Sequence, residues 1–219
     1  MPKRRLFASV MAANHRNLEG DILAVVKAGV DGLHFDVMDG NFVANITFGA
    51  DLIRALRPLS DVPFDVHLMV TRPDVIAPQV IEAGANRVSI HPESGGQTER
   101  LLARIRELGA QPGLAVSPAA PLEMIEWMLD DVDFILLMSV NPGRSGQDFI
   151  PSSVRKLARL AEMIEKSARD VTIAVDGGIG PDNVAELARL GAADFISGGT
   201  IFYHPPAADR VRELREALK

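Results

Sequence analysis

Cysteine is absent from the 219 residues. Neither a disulfide framework nor thiolate catalysis is open to such a chain, and any metal must be held by histidine and carboxylate. Tryptophan and tyrosine occur once each, too few to build the aromatic platforms that stack nucleic-acid bases. Positive charge is in deficit. Lys and Arg number 23 against 29 Asp and Glu, a net charge of −6, which argues against nucleic acid as the main partner. No apolar run approaches the ~18 residues of a membrane span. The basic start, Met1-Pro2-Lys3-Arg4-Arg5, is followed by too few apolar residues before Asn14-His15-Arg16-Asn17 for a signal-peptide core. A cytoplasmic homo-oligomeric enzyme acting on a small molecule is expected.

What is present is a regular alternation of short apolar runs and amphipathic helical segments. Strands are expected at Leu6–Met11, Gly32–Val37, Phe64–Val70, Asn86–His91, Gln111–Val116, Val132–Ser139, Val171–Asp176 and Ala193–Ser197. The intervening helices are expected at Leu18–Ala28, Ala50–Leu56, Pro73–Ala83, Thr98–Leu108, Leu122–Met128, Ser152–Ser167, Pro181–Leu190 and Ala207–Leu218. Gly29, Gly84, Gly109 and Gly191 follow helix ends and read as left-handed caps. Eight strand–helix units with short connections imply parallel pairing, and eight close a barrel. The expectation is a single (β/α)8 TIM-barrel domain over residues 1–219, in the α/β class.

Such a barrel keeps its chemistry at the C-terminal ends of the strands, where the notable side chains fall. In Leu33-His34-Phe35-Asp36-Val37-Met38, period-2 alternation puts His34, Asp36 and Met38 on one face. His67 and Met69 share a face on the next strand, and Asp176 ends the seventh. Buried imidazole and carboxylate are costly unless paired. Two His and two Asp converging on one rim suit one divalent ion such as Zn, Fe, Mn or Co. Met38, Met69 and Met138 would ring the same mouth as a lining without acidic protons. Gly177-Gly178 and Gly198-Gly199 follow strands 7 and 8, where barrels of this kind hold phosphate on backbone N–H groups beside a short extra helix. Asn141–Phe149, with Gly143 and Gly146, reads as a mobile lid. His91 ends a strand, where it could stand behind a ligand or face substrate, but with no visible partner it reads as structural.

The chain resembles the ribulose-phosphate 3-epimerase family over essentially its whole length. The matching stretches are His34-Phe35-Asp36-Val37-Met38-Asp39-Gly40, Asp65-Val66-His67-Leu68-Met69-Val70, Met138-Ser139-Val140-Asn141-Pro142-Gly143, Gly146-Gln147 and Val175-Asp176-Gly177-Gly178-Ile179. The resemblance implies one divalent metal on His34, Asp36, His67 and Asp176, with Asp36 and Asp176 also serving as acid and base. It implies substrate contact at Ser9, and with it the residues expected to face substrate are His67, Met38, Met69, Met138, Gly143, Gly146, Gly177, Gly178, Gly198 and Gly199. The implied reaction inverts carbon 3 of a ketose phosphate, D-ribulose 5-phosphate to D-xylulose 5-phosphate. Three loops depart from the family pattern: Ala12-Ala13-Asn14-His15, Gly143-Arg144-Ser145-Gly146 and Gly198-Gly199. All three face substrate, so D-allulose 6-phosphate is an alternative sugar. A related decarboxylase would need an Asp-x-Lys pair, and Asp36-Val37-Met38 has no Lys. A phosphosugar-binding barrel without catalysis would lack a ligand or an acid/base carboxylate, and none is missing.

Overall fold

The structure is a computed structural model and describes residues 3–219. The expected domain also included Met1 and Pro2, which lie outside the described residues. Eight parallel strands close a barrel in chain order: β1 (Arg5–Ser9), β2 (Gly32–Met38), β3 (Phe64–Met69), β4 (Arg87–Ile90), β5 (Gln111–Val116), β6 (Phe134–Met138), β7 (Thr172–Asp176) and β8 (Asp194–Ser197). Pairing of β1 with β8 completes the ring. The expected TIM barrel is therefore present, with strand bounds within two residues of those read from the sequence.

The helices are α1 (Leu18–Ala28), α2 (Ala50–Leu56), α3 (Pro73–Glu82), α4 (Thr98–Glu107), α5 (Ser152–Ser167), α6 (Val184–Arg189), α7 (Gly199–Phe202) and α8 (Ala207–Ala217). Each longer helix buries one stripe against the sheet. In α5 the stripe is Leu157, Leu160 and Ile164, a helical spacing. The helix ends follow the glycines: Gly29 stops α1 at φ 97°, and Gly84, Gly109 and Gly191 also have positive φ.

Two expected helices differ. The stretch after β5 forms two 3-10 turns, Leu122–Met124 and Glu126–Met128. Its buried residues Leu122 and Ile125 are three apart, and a 3-10 turn superposes positions i and i+3. Helix α6 starts at Val184 rather than Pro181. Asn183 uses its side chain to close the preceding turn, accepting from the Gly180 amide and donating to the Gly178 carbonyl.

Alternation on the strands divides the buried residues into two populations. Leu33, Phe35, Val37, Val66 and Leu68 point outward into the layer shared with the helices. Inside the barrel, Phe7, Ala115, Phe134, Leu136, Ala174 and Ile196 form a smaller apolar cluster with Met138 and Val140. Polar groups lie beside this plug. Arg87 pairs with Asp194 Oδ2 at 2.6 Å and with Asp65 Oδ1 at 3.3 Å. Arg5 holds the same Asp194 through two bonds. The mouth at the C-terminal strand ends carries the remaining polar interior.

Candidate active site

Register brings the site together. Asp36 stands beside His67 where β2 pairs β3, and Met38 stands beside Met69 one step further along the same face. Met138 stands beside Asp176 where β6 pairs β7. Strands β2 and β7 are three positions apart around the ring, so Asp36 and Asp176 approach the mouth from different sides. One donor atom from each of His34, Asp36, His67 and Asp176 lies within 4.8 Å of the others.

Within this group Asp36 Oδ1 lies 3.3 Å from His34 Nε2 and 3.2 Å from His67 Nδ1. Asp36 Oδ2 accepts a hydrogen bond from Ser9 Oγ at 2.8 Å. Asp176 Oδ2 is 3.9 Å from His34 Nε2. On its far side His34 Nδ1 donates to Asp65 Oδ2 at 2.8 Å. Burial pushes Asp65 up, but the Arg87 charge, together with the hydrogen bond and charge of His34 and the charge of His67, brings it below its ordinary value.

The two carboxylates are driven apart electrostatically. Burial pushes Asp36 up, but the charge and hydrogen bonds of His34 and His67 pull it well below the usual carboxylate range. Burial and then the Asp36 charge push Asp176 up to about 7. Burial opposes a charge on His34, yet Asp36 and Asp65 raise it well above its ordinary value. Burial brings His67 down to about 4. Two carboxylates and two imidazoles therefore crowd one point, and the crowding favours the protonated form of Asp176 and the neutral form of His67. This donor set suits a divalent first-row ion, and such an ion would relieve that repulsion.

An open pocket lies over this cluster. Its walls include Ser9, Asp36, Met38, Met69, Met138 and Asp176, the lid residues Gly143, Arg144 and Gly146, and the loop glycines 177, 178, 198 and 199. The residues read from the sequence as substrate-facing thus meet in one pocket, apart from His67, which lies buried beneath it. Arg144 is the one Lys or Arg along that lining. Gly178 has φ 64°, and a Cβ there would stand 2.6 Å from the backbone nitrogen of Phe149. Glycine is what lets the loop after β7 approach the lid.

Two polar residues were missed or misread in the sequence. His91 is not a residue without partners. It is buried, with Nε2 2.8 Å from His67 Nε2 and its ring 4.8 Å from the ring of Phe42. Only the folded barrel brings its strand end beside His67. Asp65 was passed over, though the signal was there: residues 65, 67 and 69 share a strand face.

Residues 5–202 match the family described as the ribulose-phosphate 3 epimerase family. The chain is 40% identical to ribulose-phosphate 3-epimerase 2 of Cupriavidus necator, covering 98% of this chain and 91% of that one. It is 42% identical to the ribulose-phosphate 3-epimerase of Serratia marcescens, covering 94% and 98%. Among solved structures, KGPDC from Streptococcus mutans superposes with a TM-score of 0.73 over 98% of this chain and 97% of that chain. Its sequence identity of 17% supports likeness of fold alone.

Proposed function

This chain belongs to the ribulose-phosphate 3-epimerase family, and from that membership we propose that it inverts carbon 3 of D-ribulose 5-phosphate to give D-xylulose 5-phosphate. The observation that carries the reading is the convergence of His34, Asp36, His67 and Asp176 beneath a pocket lined by methionine and glycine.

His34, Asp36, His67 and Asp176 would hold one divalent ion. When bound, it would supply Lewis-acid stabilisation of the negative charge that develops on the ketose oxygens. The proton transfers belong to the carboxylates. Asp36, the more acidic of the two, removes the carbon 3 proton from one face. Asp176, the group inclined to hold a proton, delivers one to the opposite face. In the reverse direction the roles exchange. Environments that drive two titratable groups apart are what such a division of labour needs. Ser9 fixes the orientation of Asp36 through its hydrogen bond to Oδ2. Met38, Met69 and Met138 contribute a polarisable wall with no proton to misplace.

Backbone N–H groups of Gly177, Gly178, Gly198 and Gly199 would grip the phosphate, as suits loops with no cationic side chain. Arg144 would reach the sugar or phosphate from the lid. The test is epimerisation of D-ribulose 5-phosphate and D-allulose 6-phosphate side by side, with metal analysis of the purified protein. The expected result is a higher kcat/KM for the pentose and about one metal per chain. A protein active on neither sugar with metal bound would overturn the reading.

A further inference from the structure

The two histidines of the proposed metal set each present one ring nitrogen to the site and turn the other away. A histidine that binds a metal through one nitrogen must carry its hydrogen on the other. For His67 the nitrogen facing the site is Nδ1, 3.2 Å from Asp36 Oδ1. Its Nε2 must then hold the hydrogen, and that atom lies 2.8 Å from His91 Nε2. His91 has to accept there, which places its own hydrogen on Nδ1. That atom lies 3.3 Å from Glu93 Oε1 and 3.3 Å from Ser117 Oγ. Ser117 Oγ donates to the same Glu93 oxygen at 2.5 Å. With Nδ1 of His67 given to a metal, the chain of donors thus ends on an acceptor, and each hydrogen has one place.

Glu93 is suited to that terminal position. Burial pushes its carboxyl up, but hydrogen bonds from His91 and Ser117 bring it down to about 2. The relay is also held rigidly. His91 is packed between Phe42 and His67, with ring centroids at 4.8 and 5.0 Å. The backbone carbonyl of Ser117 accepts from Lys156 Nζ at 2.7 Å. None of His91, Glu93 and Ser117 lines the pocket over the carboxylates; Glu93 and Ser117 instead line an adjoining open pocket beneath the lid residues Pro142, Gly143 and Arg144.

We propose that Glu93, acting through His91, is a positioning residue that fixes the tautomer and orientation of His67 for metal binding. The proposal rests on the metal reading given above. Without the Glu93 acceptor, His91 is free to move its hydrogen to Nε2. Two N–H groups would then face each other, and His67 would relieve the clash by shifting its hydrogen to Nδ1, where it cannot ligate.

The test is titration of metal-free full-length protein with Co2+ against a chromophoric chelator, recording the absorption bands of the bound ion. The proteins compared are the parent, Glu93→Ala, Glu93→Gln and His67→Ala. Loss of a hydrogen-bond partner behind a metal ligand costs ~10–100-fold in affinity, so Glu93→Ala should bind Co2+ at least ~10-fold more weakly, with shifted bands. Glu93→Gln, whose amide oxygen still accepts from His91, should recover most of that loss. Glu93 also accepts from His91 and Ser117, so metal-free Glu93→Ala should melt a few degrees lower than the parent yet stay folded at the titration temperature, and Glu93→Gln should fall between them. Parent-like affinity and spectrum in Glu93→Ala would overturn the proposal, as would equal losses in Glu93→Ala and Glu93→Gln. Equal affinity in the parent and His67→Ala would instead remove the metal reading itself.

Discussion

Asp36 and Asp176 are chemically alike and sit at one mouth, yet their neighbours differ. Asp36 lies against two imidazoles and the Ser9 hydroxyl, whereas Asp176 has only a distant approach from His34. Asp36→Asn and Asp176→Asn should each abolish net epimerisation, because a positioned acid or base contributes ~10²–10⁴-fold in rate. The two should still differ in isotope exchange. With D-ribulose 5-phosphate, metal-loaded Asp176→Asn should still remove the carbon 3 proton and return deuterium to the same face. Asp36→Asn should show no exchange from that substrate. Exchange by metal-loaded Asp36→Asn at the parent rate would refute its role as the base. Ser9→Ala offers a milder check, since it frees Asp36 to rotate without removing a carboxylate. Its kcat should fall by roughly 10-fold, about the value of one hydrogen bond to a charged group, while KM changes little.

Among the elements, the loops after β6, β7 and β8 decide how substrate is held. Gly178→Ala should force Phe149 and the lid outward, because the added carbon meets backbone rather than a flexible side chain. Steady-state kinetics should show KM raised several-fold more than kcat is lowered. Equal KM in the variant and parent would separate the lid from substrate binding. These loops also mark how far sequence reasoning reached. The barrel was legible because eight apolar runs alternate with helical stripes such as Leu157, Leu160 and Ile164. His34 and Asp36 were legible because period 2 places them on one strand face, and Asp176 because it ends a strand at the mouth of the barrel. His91 was not, because its partners come from three other segments: His67 on β3, Phe42 after β2 and Ser117 after β5. The 3-10 turns at 122–128 escaped because a spacing of three also begins an α-helical stripe.

Across the whole molecule, charge is buried from the barrel interior up to the mouth, from Arg5 through Asp194, Arg87 and Asp65 to His34. Arg87→Met would remove the buried cation shared by Asp65 and Asp194, leaving Asp65 with His34 and Asp194 with Arg5. Breaking a buried pair costs ~3–5 kcal/mol, so thermal unfolding should fall by roughly 10 °C. The mouth adds a pH dependence of its own when no metal is bound. Asp176 is raised to about 7 in the folded protein and is an ordinary carboxylate when unfolded. Between these values the folded state holds the extra proton, so stability is lost as pH rises through about 7. His34, also raised on folding, contributes in the same direction above its ordinary value. His67 is lowered to about 4 and works the opposite way, but only below about 6.5, where its unfolded form takes up a proton. Above that point the three no longer oppose one another. Chelator-treated protein should therefore melt lower at pH 8.5 than at pH 6.5, by a difference on the order of 5 °C. A divalent ion acts against this trend, because it binds the deprotonated ligands and gains affinity as pH rises. Saturating Co2+ should close or reverse the gap in the same melting experiment. If chelator-treated protein instead melts higher at pH 8.5 than at 6.5, Asp176 and His34 do not together hold protons against the Asp36 charge, and the division of the two carboxylates into acid and base loses its electrostatic support.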